Sequence, residues 1–291
     1  MATDTLRSAP ARGNDPARDH TFAEAAASYL ASGGEARYLG AILAYFEERS
    51  VRAIFPYDLR EMAEAIYPTQ SASTRNRCAI GPARAVLLHA YDRGWCDLIR
   101  VRRFREDRPK RKRPASATWL HLFCRQCGRD GLPHLAALVL FMSATGARIS
   151  EAVALRWPEV DLPARTALLL KTKTDTRSLR HLTDEVAERI RNLQASRPGD
   201  GPVFRYTSRF SVSERIRAVC RRADIPYKSP HLCGRHTFAT TAIECGIDVG
   251  TAMAAGGWRS SKVFLETYVH PRLSAGRVVA DRLSLHGSAL M

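Results

Sequence analysis

The chain has no apolar run near the roughly 18 residues that cross a bilayer, and its opening, MATDTLRSAPARGNDPARDH, lacks the apolar core of a secretory signal. Both absences exclude a membrane role and point to the cytoplasm. Cysteine is sparse and irregular, with seven residues between Cys78 and Cys245, which excludes a disulfide scaffold and suits reduced thiols. The stretch HLFCRQC resembles half of a zinc site, but no second close cysteine pair completes it, so neither a metal nor a cofactor is expected. Internal repeats and low-complexity tracts are missing as well. Negative charge is also scarce: 29 Asp and Glu stand against 45 Lys and Arg, giving a net charge of +16. A chain this basic has a polyanion as its default partner.

What is present begins with organisation. With 291 residues, 45% of them hydrophobic, the chain can fill two packed cores. Residues 1–20 are Ala-, Pro-, Arg- and Asp-rich without periodicity and read as a disordered tail. From 21 to 99 apolar residues recur at three- and four-residue spacing, punctuated by Gly33-Gly34, Pro56 and Pro68, which predicts a bundle of four or five helices. The run RVRRFREDRPKRKR, residues 100–113, holds nine basic and two acidic residues and reads as a linker without a core of its own. Its Arg100, Arg102, Arg103, Arg105, Arg108, Lys110, Arg111, Lys112 and Arg113 suit a phosphate backbone. Residues 114–291 form the second domain: ATWLHLFCRQCGRD and LPHLAALVLFMSATG read as helices, RTALLLK and RSLRHL as strands of a hairpin around TKTDT, and helices resume near Thr183.

Four stretches of this second domain carry chemistry. In TGARISEAVALRW, Gly146 ends one helix and Arg148 lies in the turn before the next, where backbone N–H groups also attract anions. In KTKTDTRS, Lys171 and Lys173 face one side of a strand. In PHLCGRHTFAT, His231 and Arg235 are four apart, which on an α-helix sets a proton-carrying ring and a permanent cation on one face. In GGWRSSKVFLETYVHP, two glycines stop a helix, Trp258 follows, and Tyr268 lies in the last turn of a short helix.

Taken in order, these stretches resemble the tyrosine recombinases, the phage integrase group of site-specific DNA recombinases. Members carry an arginine after TG, a lysine in a TKT hairpin, a His and Arg before HTFAT, a Gly-His or Gly-Trp pair, and a tyrosine followed by xH. The resemblance covers roughly residues 114–275 and implies a mainly α fold: a helical, SAM-like N-terminal core-binding domain, then a mixed α/β, mostly helical catalytic domain with a small β-sheet. It implies Tyr268 as nucleophile, Arg148 and Arg235 on the phosphate, Lys173 as proton donor to the leaving 5′ oxygen, His231 as base or phosphate ligand, and Trp258 in a positioning role. His236, His270 and Lys171 are second-rank candidates. The chain departs from the family in placing four steps, not three, between His231 and Arg235, so that Leu232 holds the usual histidine position. Double-stranded DNA is the implied partner, gripped by four protomers on two DNA sites with accessory DNA-bending proteins in some members. The product would be a 3′-phosphotyrosyl ester, formed without metal or ATP. A topoisomerase-like enzyme with the same chemistry and a catalytically silent basic DNA-binding protein are the other readings.

Overall fold

The computed structural model describes residues 18–107, 113–170, 177–196, 200–269 and 275–288. The chain divides into two compact units, one ending at Pro109 and one beginning at Lys110. Among the described residues no helix is long and apolar enough to cross a membrane.

The first unit is helical: α1 (Phe22–Ala31), α2 (Leu39–Phe46), α3 (Pro56–Ile66), α4 (Ala72–Arg75) and α5 (Gly81–Asp92), with a π turn at Asn76–Ile80 between the last two. Thr21 starts α1 with a reciprocal cap: its hydroxyl accepts from the Glu24 N–H and the Glu24 carboxylate accepts from the Thr21 N–H, both at 3.2 Å. The helices close on Phe22, Ile42, Leu59, Met62, Ile80 and Val86, all fully buried.

The start of the basic run, expected to have no core of its own, packs into the core of this unit. Val101 and Phe104 are buried in the core of this unit. Asn76, itself buried, clamps the strap by its backbone: its side-chain oxygen accepts from the Phe104 N–H at 2.9 Å, and its amide donates to the Phe104 carbonyl at 2.9 Å and to Glu106 at 2.8 Å. The guanidiniums of Arg60 and Arg75 stand 4.1 and 5.5 Å from the Phe104 ring centroid. Two apolar residues three apart suffice to seat an extended strap once a buried amide satisfies its backbone. Arg100, Arg102, Arg103 and Arg105 stay exposed along it.

The second unit is built around α7 (Pro133–Thr145), apolar on every side and buried at each position from Leu135 to Met142, as a central core helix must be. Against it pack α6 (Ala117–Arg129), α8 (Ile149–Ala154), α9 (Asp184–Ser196), α10 (Arg209–Arg222) and α11 (Thr237–Glu244), and the chain goes on through α12 (Val249–Gly256), α13 (Ser261–Tyr268) and α14 (Ala275–Ser288). A three-stranded antiparallel sheet, β1 (Val160–Asp161), β2 (Thr166–Leu169) and β3 (Ser178–His181), pairs in sequence order, with Leu169 opposite Ser178 and Ala167 opposite Arg180. The fold is thus mainly helical with a small sheet. Cys124 and Cys127 belong to α6, where burial pushes the Cys124 thiol up to about 11 and Cys127 higher still. Among the described residues no group of three or more His, Cys, Asp or Glu side chains is placed to hold a metal ion.

Candidate active site

The stretch PHLCGRHTFAT does not run as an α-helix. Leu232–His236 forms a π turn, whose i→i+5 hydrogen bonds take in one more residue than an α turn, and α11 follows directly. This is the structural counterpart of the extra residue between His231 and Arg235. The turn lies close against α7 because Gly234 has no side chain: a Cβ there would stand 2.7 Å from Cβ of Met142. As a result Arg235 is driven inward, to 4% exposure, while His231 stays exposed at the start of the turn.

The buried guanidinium of Arg235 is held by backbone carbonyls. Nη1 donates to Gly146 at 2.6 Å and to Gly256 at 2.7 Å, and Nη2 donates to Gly257 at 3.3 Å. Gly146 ends α7 with φ 67°, and Gly257 ends α12 with φ 65°, the left-handed stops that glycine supplies. The adjoining Gly256 is required for another reason, because a Cβ on it would run into the Trp258 indole. The GGW stretch therefore folds the indole back over Arg235, whose guanidinium carbon lies 3.4 Å from the ring centroid.

Trp258 also faces the tyrosine. Ser260 caps α13 by accepting from the Val263 N–H at 3.3 Å, and eight residues on Tyr268 closes the helix, 5% exposed. Its ring packs edge-on to Trp258 at 5.4 Å and to His236 at 4.7 Å, and against Phe264 at 5.3 Å. His231 in turn packs edge-on with His236, with ring centroids 4.8 Å apart.

Arg148 precedes α8, whose third residue, Glu151, is buried. The Glu151 carboxylate accepts from the Arg148 backbone N–H at 2.8 Å and from its Nη1 at 2.6 Å, leaving the arginine side chain one-third exposed. Burial, and then the Arg148 charge, push Arg235 down to about 10, against an opposing pull from Tyr268 and Glu151. Arg235 is still a cation at neutral pH. Arg148, Arg235, Trp258 and Tyr268 thus share one locality in which positive charge exceeds negative.

The structure brings together four of the residues expected from sequence and holds His231 one ring further out, with His236 between it and Tyr268. Lys173, Lys171, His270, Arg108, Lys110, Arg111 and Lys112 lie outside the described residues. The strands flanking Lys173 are paired, so the hairpin expected there has its two arms in register. Arg113 is exposed, and its carbonyl accepts from Lys228 at 3.0 Å. Two residues escaped the sequence reading. Glu151 orders Arg148, and its signal was the acidic residue three positions into a helix. Arg180 is buried in β3 within electrostatic range of Arg148 and Glu151, and nothing in RSLRHL marks it.

A family model described as the Phage integrase family matches residues 124–274. No curated protein matches the sequence. Among solved structures, the Tn1549 transposon integrase in complex with circular intermediate DNA is 17% identical, with a TM-score of 0.71 over 90% of this chain and 99% of that one. XerH site-specific recombinase bound to palindromic difH substrate, a post-cleavage complex, is 16% identical, with a TM-score of 0.63 over 84% of this chain and 75% of that one. A lambda integrase tetramer bound to a Holliday junction is 15% identical, with a TM-score of 0.67 over 86% and 78%. At these identities the likeness is one of fold.

Proposed function

This chain belongs to the phage integrase family, and on that premise we propose that it is a site-specific DNA recombinase that cleaves and rejoins strands through Tyr268. The observation that carries the reading is the placement of one indole, Trp258, against both the Arg235 guanidinium and the Tyr268 ring. A buried cation and an aromatic hydroxyl are held as neighbours, with a second arginine, Arg148, reaching solvent beside them.

The chemistry follows from the substrate. A phosphodiester is anionic and gains charge on its non-bridging oxygens during displacement, so planar guanidinium forks suit the transition state. Arg148 and Arg235 take this role. The Tyr268 oxygen attacks phosphorus and gives up its proton. The bond to the 5′ oxygen breaks, and that oxygen leaves with a proton. Lys173, which lies in sequence between the two paired strands, is the donor we assign to that second proton. His236 against the ring and His231 behind it offer imidazoles for the first. The bond energy is kept in a 3′-phosphotyrosyl ester, so a second 5′-hydroxyl reseals the strand without nucleotide. Side chains supply the cations, so no metal is required.

Double-stranded DNA is the partner, and the net charge of +16 supports it. We place the protein in the cytoplasm, where four protomers assemble on two DNA sites. The core-binding domain at 21–99, the basic segment 100–113 and the catalytic domain from 114 divide the work of gripping and cutting. The test is to incubate the protein in EDTA with duplexes drawn from the DNA flanking its own gene and look for detergent-resistant covalent adducts. Adducts at one position support the recombinase. Relaxation of any supercoiled plasmid without a preferred position would instead make it topoisomerase-like, and no adduct on any duplex would leave only a DNA-binding role.

A further inference from the structure

Arg180 is buried to 2% exposure, and among the described residues no carboxylate bonds it. It projects from β3 opposite Ala167, itself fully buried. Its Nη1 donates to the Ala255 carbonyl, and its Nε has no hydrogen-bond partner among the described residues. Gly257 makes room for it, since a Cβ there would stand 2.6 Å from Nη2. Three consecutive carbonyls at the end of α12 are therefore held by two arginines: Ala255 by Arg180, and Gly256 and Gly257 by Arg235. The carbonyls at a helix C-terminus are unpaired within the helix and carry its negative dipole end, so buried cations suit them.

An arginine in such a place is costly for the fold. Burial lowers its pKa, the Arg148 charge opposes it, and Glu151 is the carboxylate that favours it. Apolar residues of similar volume commonly replace buried charges with little loss of stability. A buried cation that no described carboxylate bonds, placed beside a reaction centre, is the kind of feature that function retains.

We propose that Arg180 is a positioning residue of the phosphate site: by gripping the end of α12 beside Arg235 it fixes the Gly256–Trp258 turn, and through that turn the orientation of Arg235 and of the indole stacked on it. It is too deeply buried to touch DNA, so its influence on the phosphate passes through Arg235. The role rests on the strand-cleavage reading above. It also gives the double glycine of GGW two separate duties, Gly256 admitting the indole and Gly257 admitting Arg180.

The test is single-turnover cleavage of the duplex on which the parent protein forms its adduct, measured at saturating DNA with Arg180→Met and Arg180→Lys, alongside duplex affinity and the final adduct yield. Arg180→Met is expected to slow cleavage about tenfold, the scale of a partly buried charge at a helix terminus, while affinity stays within about twofold and the yield is unchanged. Arg180→Lys keeps a cation able to reach Ala255 and is expected to recover most of the rate. A merely structural arginine would reduce the yield in proportion to the unfolded fraction and leave the rate of the remainder alone. That pattern, an unchanged rate, or a lysine variant no better than methionine would overturn the role. Should Arg180→Met not fold, Arg180→Gln, which keeps a donor and loses the charge, answers the same question against Arg180→Lys. If the parent forms no adduct, the cleavage reading fails first, and the two failures are told apart on the parent protein alone.

Discussion

The guanidinium carbon of Arg235 lies 3.4 Å from the centroid of the Trp258 indole, and the same indole packs edge-on with the Tyr268 ring at 5.4 Å. The tryptophan therefore contacts both a buried cation and the proposed nucleophile. A desolvated cation on an indole is worth up to about 2 kcal/mol, roughly 30-fold in rate if the stack is kept in the transition state. Trp258→Ala should slow cleavage by about that factor, while Trp258→Phe, which keeps a ring, should lose less. Equal losses in single-turnover assays would mean that the indole N–H, and not the stack, is what matters.

The two arginines proposed to hold the phosphate should tolerate lysine poorly, since a point charge cannot reproduce a planar fork. Arg235→Lys would in addition abandon at least some of the bonds to Gly146, Gly256 and Gly257. Losses of about 10²-fold or more in cleavage rate are expected for Arg148→Lys and Arg235→Lys, the scale for one preorganised stabiliser of developing charge. Parental rates in both variants would remove them from the phosphate.

Asn76 holds the strap at Phe104 through bonds in both directions. Asn76→Ala leaves a buried backbone N–H and C=O without partners and should destabilise the first unit by roughly 1–3 kcal/mol. Hydrogen exchange at the Phe104 amide reads this directly. Protection equal to the parent would show that the clamp contributes nothing.

Beyond the strap, Lys110, Arg111, Lys112 and Arg113 should supply affinity and little specificity, because phosphate contacts carry no base information. Changing these residues to Ala should lower the slope of log K against log salt by up to about 3 to 4. It should also weaken specific and random duplexes alike. Titration on both DNAs at several salt concentrations tests this: an unchanged slope makes the run a spacer, and a selective loss on the specific site makes it a base reader.

Much of this was legible in the sequence because it depends on local rules. Helix stops at Gly146 and Gly257, the serine cap before α13 and the hairpin arms around TKTDT all follow from residue type and spacing. Other features depend on tertiary partners. The PHLCGRHTFAT stretch looks α-helical by itself, and only the close approach of Gly234 to Met142 on α7 reveals a π turn that buries Arg235 and leaves His231 outside. In β3 the hydrophobic pattern points the wrong way: Leu179 is 53% exposed and Arg180 is buried, because pairing with Ala167 and the carbonyls of α12 decide the register. The basic strap is similar, since Val101 and Phe104 are too few to signal a core until Asn76 satisfies the backbone of Phe104.

The most direct measurement is to digest the purified protein–DNA adduct and identify the residue that carries the nucleotide. A 3′-phosphotyrosyl ester on the peptide containing Tyr268 is expected, formed in EDTA without nucleotide and missing from Tyr268→Phe, which should still bind the duplex within a few-fold of the parent. A nucleotide on any other residue, or adducts persisting in Tyr268→Phe at the parental level, would contradict the assignment.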